Sequence, residues 1–155
     1  MPKISEITLI RHCNTPTLTI RKETTIAELP QHIGACYGKI TAYLKENDAQ
    51  IADIPFVLYH NFDFKKMDVE IGFPVVKKIK GEGEIRASAI PEQDMIFCMY
   101  QGAYNKIEPT YKAMYQWAVD HGLEVEEKVY EFYYNGLEVE EDLLLTKILM
   151  PVKNA

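Results

Sequence analysis

Glu131 sits inside an aromatic stretch, Val129-Tyr130-Glu131-Phe132-Tyr133-Tyr134-Asn135. In an extended chain alternate side chains share a face. That puts Glu131, Tyr133 and Asn135 on one side and Tyr130, Phe132 and Tyr134 on the other. A carboxylate in this position has two physical readings. In the first its face is solvated, the ordinary place for Glu. In the second it is partly buried among rings, where an unpaired charge is costly or raises the pKa. A cationic ligand would then supply the missing charge, and each neighbouring ring would add about 0.5–2 kcal/mol of cation–π attraction. Residue types alone leave both readings open.

Other side chains could line such a site. Tyr104 ends the turn Tyr100-Gln101-Gly102-Ala103-Tyr104, where the glycine permits a tight bend and the ring could project over a sheet. The alternative for Tyr104 is a hydrophobic staple onto the helix that follows. Tyr111, Met114 and Trp117 recur at helical spacing, which fits core packing first and a groove lining second. The remaining reactive residues form no pattern. His12 and Cys13 are adjacent but lack a second pair at zinc spacing. His32, His60 and His121 show no ligand spacing and are expected on the surface, while Cys36 and Cys98 lie in apolar contexts and are expected as buried thiols. Neither a GxxxxGK[ST] loop nor a GxGxxG turn is present, and GxSxG is missing. Glu138, Glu140, Glu141 and Asp142 form an acidic run expected as a solvated loop. No metal and no cofactor is expected.

The elements that must position these residues read as follows. Ile4–Arg11 alternates and predicts a strand, Asn14-Thr15-Pro16 a turn, and Leu18–Thr24 a second strand forming a hairpin with the first. Thr25–Asn47 reads as helical from Ile33 onward, with Pro30 disfavouring its first turns. Pro55–Asn61 and Met67–Val76 predict strands, as do Glu84–Ala89 and Asp94–Gln101. A second helix starts at Pro109, shows Tyr111, Met114, Tyr115 and Ala118 on one face, and stops at Gly122. Lys128–Asn135 and Leu143–Val152 complete the strands.

The chain also repeats itself. A shift of 74 residues lays Phe56–Asn61 over Tyr130–Asn135, Tyr37 over Tyr111, Ile40 over Met114 and Tyr43 over Trp117. Tyr59 then falls on Tyr133, and Val57 on Glu131. A shift of 77 lays Ile71–Val75 over Ile148–Val152. Each half reads strand, helix, strand, strand. Two such halves predict an α+β fold of duplicated βαββ units with pseudo-twofold symmetry, an antiparallel sheet with both helices on one face and a ligand groove at the seam. The repeats span about residues 1–76 and 84–153 of a single domain, 1–155.

Composition limits the function. The 155 residues carry 17 Lys+Arg against 23 Asp+Glu, a net charge of −6, the reverse of the basic excess that nucleic-acid binding demands. No apolar run reaches a membrane span, and Glu6 interrupts the N-terminal apolar segment, which argues against a signal peptide. Three widely spaced Cys do not make a disulfide framework. A cytoplasmic protein is expected. Seven of the ten Tyr lie between Tyr100 and Tyr134, so one region carries either an aromatic core or an aromatic-lined pocket.

Four stretches resemble the GyrI-like small-molecule-binding domain, also called the AraC effector-binding domain. Asp68–Val75 is similar to the family's D-x-E-x-G-x-P-V strand, and Gln101–Tyr104 to its H-x-G-P-Y turn. Tyr111–Trp117 with His121-Gly122-Leu123 is similar to its Y…L…W…GL helix. Glu131–Tyr133 and Leu144–Val152 are similar to its E-x-Y strand and LLTEIxxPV ending. The chain departs from the pattern at Tyr100, Ala103, Asn135-Gly136 and Lys147. The resemblance implies a duplicated βαββ fold and a groove that binds lipophilic, often cationic, small molecules, with the ligand-binding carboxylate falling on Glu131. With this carboxylate as anchor, ligand contacts are expected from Glu131, Tyr133, Tyr104, Tyr111, Trp117, Tyr37 and Tyr59. Strand signals beginning at Ile4 leave no room for the helix-turn-helix domain that many members carry, so a free-standing member is expected, sensing or sequestering a drug-like ligand without direct nucleic-acid or membrane binding. Two alternatives come with the family: hydrolysis of electrophilic cyclopropane toxins by Glu131 with Tyr104 or Tyr133, and a protein-interaction role, with gyrase or a separate regulator as partner.

Overall fold

Alternation of apolar and polar residues from Thr15 onward lets one strand face carry Leu18 and Ile20 and the other Thr19 and Arg21, and this two-sidedness organises the N-terminal half. The computed structural model describes residues 4–136 and 138–153. Those residues form eight strands and two α-helices, which cluster into two units, Cys13–Glu92 and a second that joins the segment ending at His12 to Gln93 and beyond. The first strand, β1 (Thr8–His12), therefore belongs to the second unit.

The unit Cys13–Glu92 contains β2 (Thr15–Thr24), α1 (Leu29–Glu46), β3 (Phe56–Tyr59), β4 (Met67–Pro74) and β5 (Arg86–Ile90). All pairings are antiparallel, in the order β3-β4-β2-β5. Register places Ile20 beside Ile71 and Ile71 beside Val57, and α1 packs on β2 and β4, burying Cys36, Ile40 and Leu44 at helical spacing. Gly72 is required where β4 meets β2: a Cβ there would lie 2.0 Å from the Leu18 carbonyl oxygen.

The second unit contains β1, β6 (Gln93–Gln101), a 3-10 turn at Tyr104–Lys106, α2 (Glu108–Asp120), β7 (Val129–Tyr133), a 3-10 turn at Glu141–Leu143, and β8 (Leu145–Pro151). Its antiparallel order is β7-β8-β6-β1. Pro109 and the acidic Glu108 occupy the first turn of α2, which suits a helix start. Thr110, Met114 and Ala118 form its buried edge, four residues apart, with Met114 and Ala118 in a core of Ile96, Cys98, Val129 and Ile148. The fold is α+β, and the duplication is explicit: β2-α1-β3-β4 and β6-α2-β7-β8 share element order and pairing, with β5 and β1 as matching edge strands. No helix among the described residues is long and apolar enough to cross a membrane.

Several expectations are corrected. The first two strands do not form a hairpin: β1 pairs with β6, from Thr8 beside Phe97 to His12 beside Gln93. Alternation marks both as strands but says nothing about partners, and the chain passes into the other unit at Cys13-Asn14, since Thr15 and Pro16, expected in a turn, already lie in β2. Helix α1 begins at Leu29, not Thr25, with Pro30 in its first turn, where a missing N–H is tolerated. Leu143 lies in a 3-10 turn instead of the last strand. Tyr115 is partly exposed on α2 and does not join its buried edge. Cys36 and Cys98 are buried thiols, and Glu138, Glu140, Glu141 and Asp142 are exposed, as their contexts indicate.

Candidate functional site

Glu131 and the phenols that reach it belong to the second unit. Strand β7 sets Glu131 beside Ile148 of β8, which sits beside Cys98 of β6. The next row on the same face is Tyr133, Thr146 and Tyr100. Alternation thus delivers Glu131 and Tyr133 to the face of the Ile148 and Cys98 core, the face that α2 covers. The solvated reading of Glu131 is ruled out: the residue is 7 % exposed. Its two carboxyl oxygens accept hydrogen bonds from two phenols, Tyr111 of α2 at Oε2 and Tyr133 at Oε1, the latter 2.8 Å away. No cation pairs with it among the described residues. Burial pushes the Glu131 carboxyl above its usual range, and the two phenols pull it part of the way back. Burial likewise raises the phenols of Tyr100 and Tyr104, and the Glu131 charge adds in the same direction.

The turn between β6 and α2 brings the other tyrosines close. Tyr100 is fully buried and its hydroxyl donates to the Ala103 carbonyl, closing the turn. Gly102 sits at φ 146°, and a Cβ there would lie 2.8 Å from the Tyr100 hydroxyl, so both backbone and space require glycine. Tyr104 follows on the 3-10 turn, 45 % exposed, its ring meeting Tyr133 edge-on at 5.5 Å. Trp117 packs partly on the core and stacks on His121 at 3.8 Å. Thr110 and Thr146 add buried hydroxyls without a partner among the described residues. The result is a recessed carboxyl ringed by phenols, suited to holding positive charge.

The repeat supplies a control. Val57, the counterpart of Glu131, is fully buried, so this fold position accepts an apolar residue. Tyr37, the counterpart of Tyr111, packs on Phe73 at 5.1 Å, and Tyr59, the counterpart of Tyr133, stacks on Phe62 at 5.6 Å. The structure brings Glu131, Tyr111, Tyr133 and Tyr104 together. Trp117 lies further along α2, and Tyr37 and Tyr59 occupy the other unit.

One cluster escaped the sequence reading. His60 is not a free surface residue: its Nε2 lies 2.8 Å from Glu70, which also accepts from Thr19 at 3.0 Å. Arg21 grips Asp68 with two hydrogen bonds and lies 3.9 Å from Glu70. Two carboxylates and two basic groups thus satisfy one another on the polar face of β2 and β4, and the pKa of Glu70 is lowered chiefly by His60. Polar alternation in Arg21, Asp68 and Glu70 was the available signal. Two solvent-open clefts occur in the same unit, one reaching Lys45 and Asp48 and the other Arg21 and Asp68. Neither includes a residue expected to bind ligand.

The profile of the GyrI-like small molecule binding domain matches residues 8–153. No curated protein matches the chain. Among solved structures, the C-terminal domain of EcmrR superposes with a TM-score of 0.78 at 22 % identity, covering 97 % of this chain and 98 % of that one. EcmrR in its complex with DNA gives a TM-score of 0.84, also at 22 % identity, and there this chain spans 58 % of the longer protein while 97 % of it is covered. A hydrolase from Listeria innocua gives 0.72 at 12 % identity, covering 99 % and 94 % of the two chains. SAV2435, solved bound to tetraphenylphosphonium, gives 0.58 at 17 % identity, covering 96 % and 94 %. At these identities the likeness establishes the fold.

Proposed function

We propose that this chain, which belongs to the GyrI-like small molecule binding domain family, binds a lipophilic cation with Glu131 as its anchor. The observation that carries the reading is a buried carboxyl with no basic partner among the described residues, held only by the phenols of Tyr111 and Tyr133. Neutral donors ease the burial of negative charge but do not neutralise it. A permanent cation with aromatic substituents would complete the charge and stack against Tyr104, Tyr133, Tyr111 and Trp117. Because Glu131 is almost covered, a ligand must displace part of that cover, and Tyr104, half exposed on a short 3-10 turn and edge-on to Tyr133, is the ring assigned that movement in this reading.

Tetraphenylphosphonium bound to SAV2435 is a ligand of this class on a like fold, which supports its use as probe. The EcmrR likeness supports sensing for a DNA-binding partner, and sequestration needs no partner. Both carboxyl oxygens already accept from phenols, which favours holding a ligand over activating water for hydrolysis.

Titration calorimetry with tetraphenylphosphonium at pH 8 tests the reading. Wild-type protein binds, and Glu131→Gln loses binding while keeping the native circular dichroism spectrum. Absence of binding to wild type, or equal affinity for the variant, refutes it.

A further inference from the structure

We propose that a cation enters this site in exchange for a proton: the empty site holds Glu131 as the neutral acid, and the incoming cation converts it to the carboxylate. The inference rests on the binding role just argued and specifies how that site is regulated.

Geometry carries it. The carboxyl is nearly sealed from water, and the groups that reach it are uncharged; in the neutral acid one carboxyl oxygen accepts from its phenol while the other donates the acid proton to the phenol oxygen facing it, so the contacts to Tyr111 and Tyr133 serve either form. The titratable groups on this face among the described residues are the phenols of Tyr111 from α2, Tyr133 from β7, Tyr100 from β6 and Tyr104 from the 3-10 turn, and the Cys98 thiol from β6, none of which carries positive charge in either protonation state. Strand β8 brings Ile148 and Thr146, which do not titrate. Lys147, the basic residue between them, lies on the opposite face, 4.3 Å above the Phe132 ring. Among the described residues no fixed positive charge therefore stabilises the ionised form in the empty site. Desolvation acts in the same direction, raising the proton affinity of Glu131.

A bound cation reverses this balance. At contact distance it supplies the missing charge, and the O–H bond of the carboxyl breaks. The proton leaves to solvent, the electron pair stays on Glu131, and net charge in the site is conserved at zero. Linkage then sets the pH dependence. Below the pKa of the empty site each cation bound displaces one proton, and affinity rises about tenfold per pH unit. Above that pKa affinity levels off. The site would thus discharge its ligand in acid and load it in alkali, while a neutral lipophile would show no such slope.

The test uses the whole chain and tetraphenylphosphonium between pH 5 and 9, titrated in buffers of differing ionisation enthalpy. The proposal expects affinity to climb and then plateau, with the enthalpy across buffers reporting a proton released on the rising limb. It also expects Tyr111→Phe, which keeps the carboxyl but removes one donor, to move the rise to higher pH. Tight binding that depends on Glu131 yet is flat with pH and releases no proton overturns the exchange while leaving the binding role intact. No binding at any pH overturns the binding role itself. A Tyr111→Phe profile that coincides with wild type, in a protein that does show the rise, overturns the assignment of the titrating group to Glu131.

Discussion

Glu131 is a carboxyl whose folded environment favours the proton, and this has a consequence for stability apart from any ligand. The pKa is raised on folding, so the unfolded chain ionises first as pH rises. Stability supplied by the protonated form is complete below the unfolded pKa, about 4.3, and is lost as pH climbs through the higher folded value. Glu131→Gln removes that loss. The difference in melting temperature, variant minus wild type, should therefore grow as pH rises above the unfolded value and level off once the pH has passed the raised folded pKa. Asp68 and Glu70 work oppositely, since their pKa values are lowered by Arg21 and His60, and their contribution fades as pH falls. Both proteins share them, so they cancel in the difference. A flat difference would mean that Glu131 titrates as it does in water.

At the scale of elements, the turn from β6 into α2 holds the site's most exposed aromatic. Gly102 permits φ 146°, Tyr100 closes the turn onto Ala103, and Tyr104 is thereby set against Tyr133. Gly102→Ala combines an unfavourable backbone with a Cβ pressed onto the Tyr100 hydroxyl. It should lower stability by about 1–3 kcal/mol, read as a lower denaturation midpoint at unchanged slope, and weaken tetraphenylphosphonium binding in the still-folded variant. An unchanged midpoint would show that the turn carries no such constraint. Helix α2 plays a double part here: Met114 and Ala118 anchor it to the core, while Tyr111, beside that edge, delivers a phenol to the carboxyl.

For the molecule as a whole, the duplication separates what the fold needs from what the function needs. The two βαββ units share topology, yet one places Val57 where the other places Glu131. Val57 lies in register with Ile71, and Ile71 with Ile20, all fully buried. Val57→Glu should therefore cost about 3 kcal/mol or more at neutral pH, measured by chemical denaturation, because it buries a carboxyl in an aliphatic setting. A loss below about 1 kcal/mol would mean that the position tolerates charge generally, and Glu131 would lose its special standing. The net charge of −6 complements the proposed ligand, since an acidic surface raises the local concentration of cations.

Element order, the repeat, the buried thiols and the shared face of Glu131 and Tyr133 were legible in the residues alone. These follow from periodicity and from the geometry of neighbouring residues, which are local properties. Packing of distant segments set the rest: α2 covers this face, Tyr111, twenty residues earlier in the chain, donates to the carboxyl, and no cation pairs with it among the described residues. It also decided that β1 pairs with β6 and that His60 reaches Glu70. Strand partners and burial depend on which distant segments meet when the chain packs, and alternation along one strand is compatible with many such meetings.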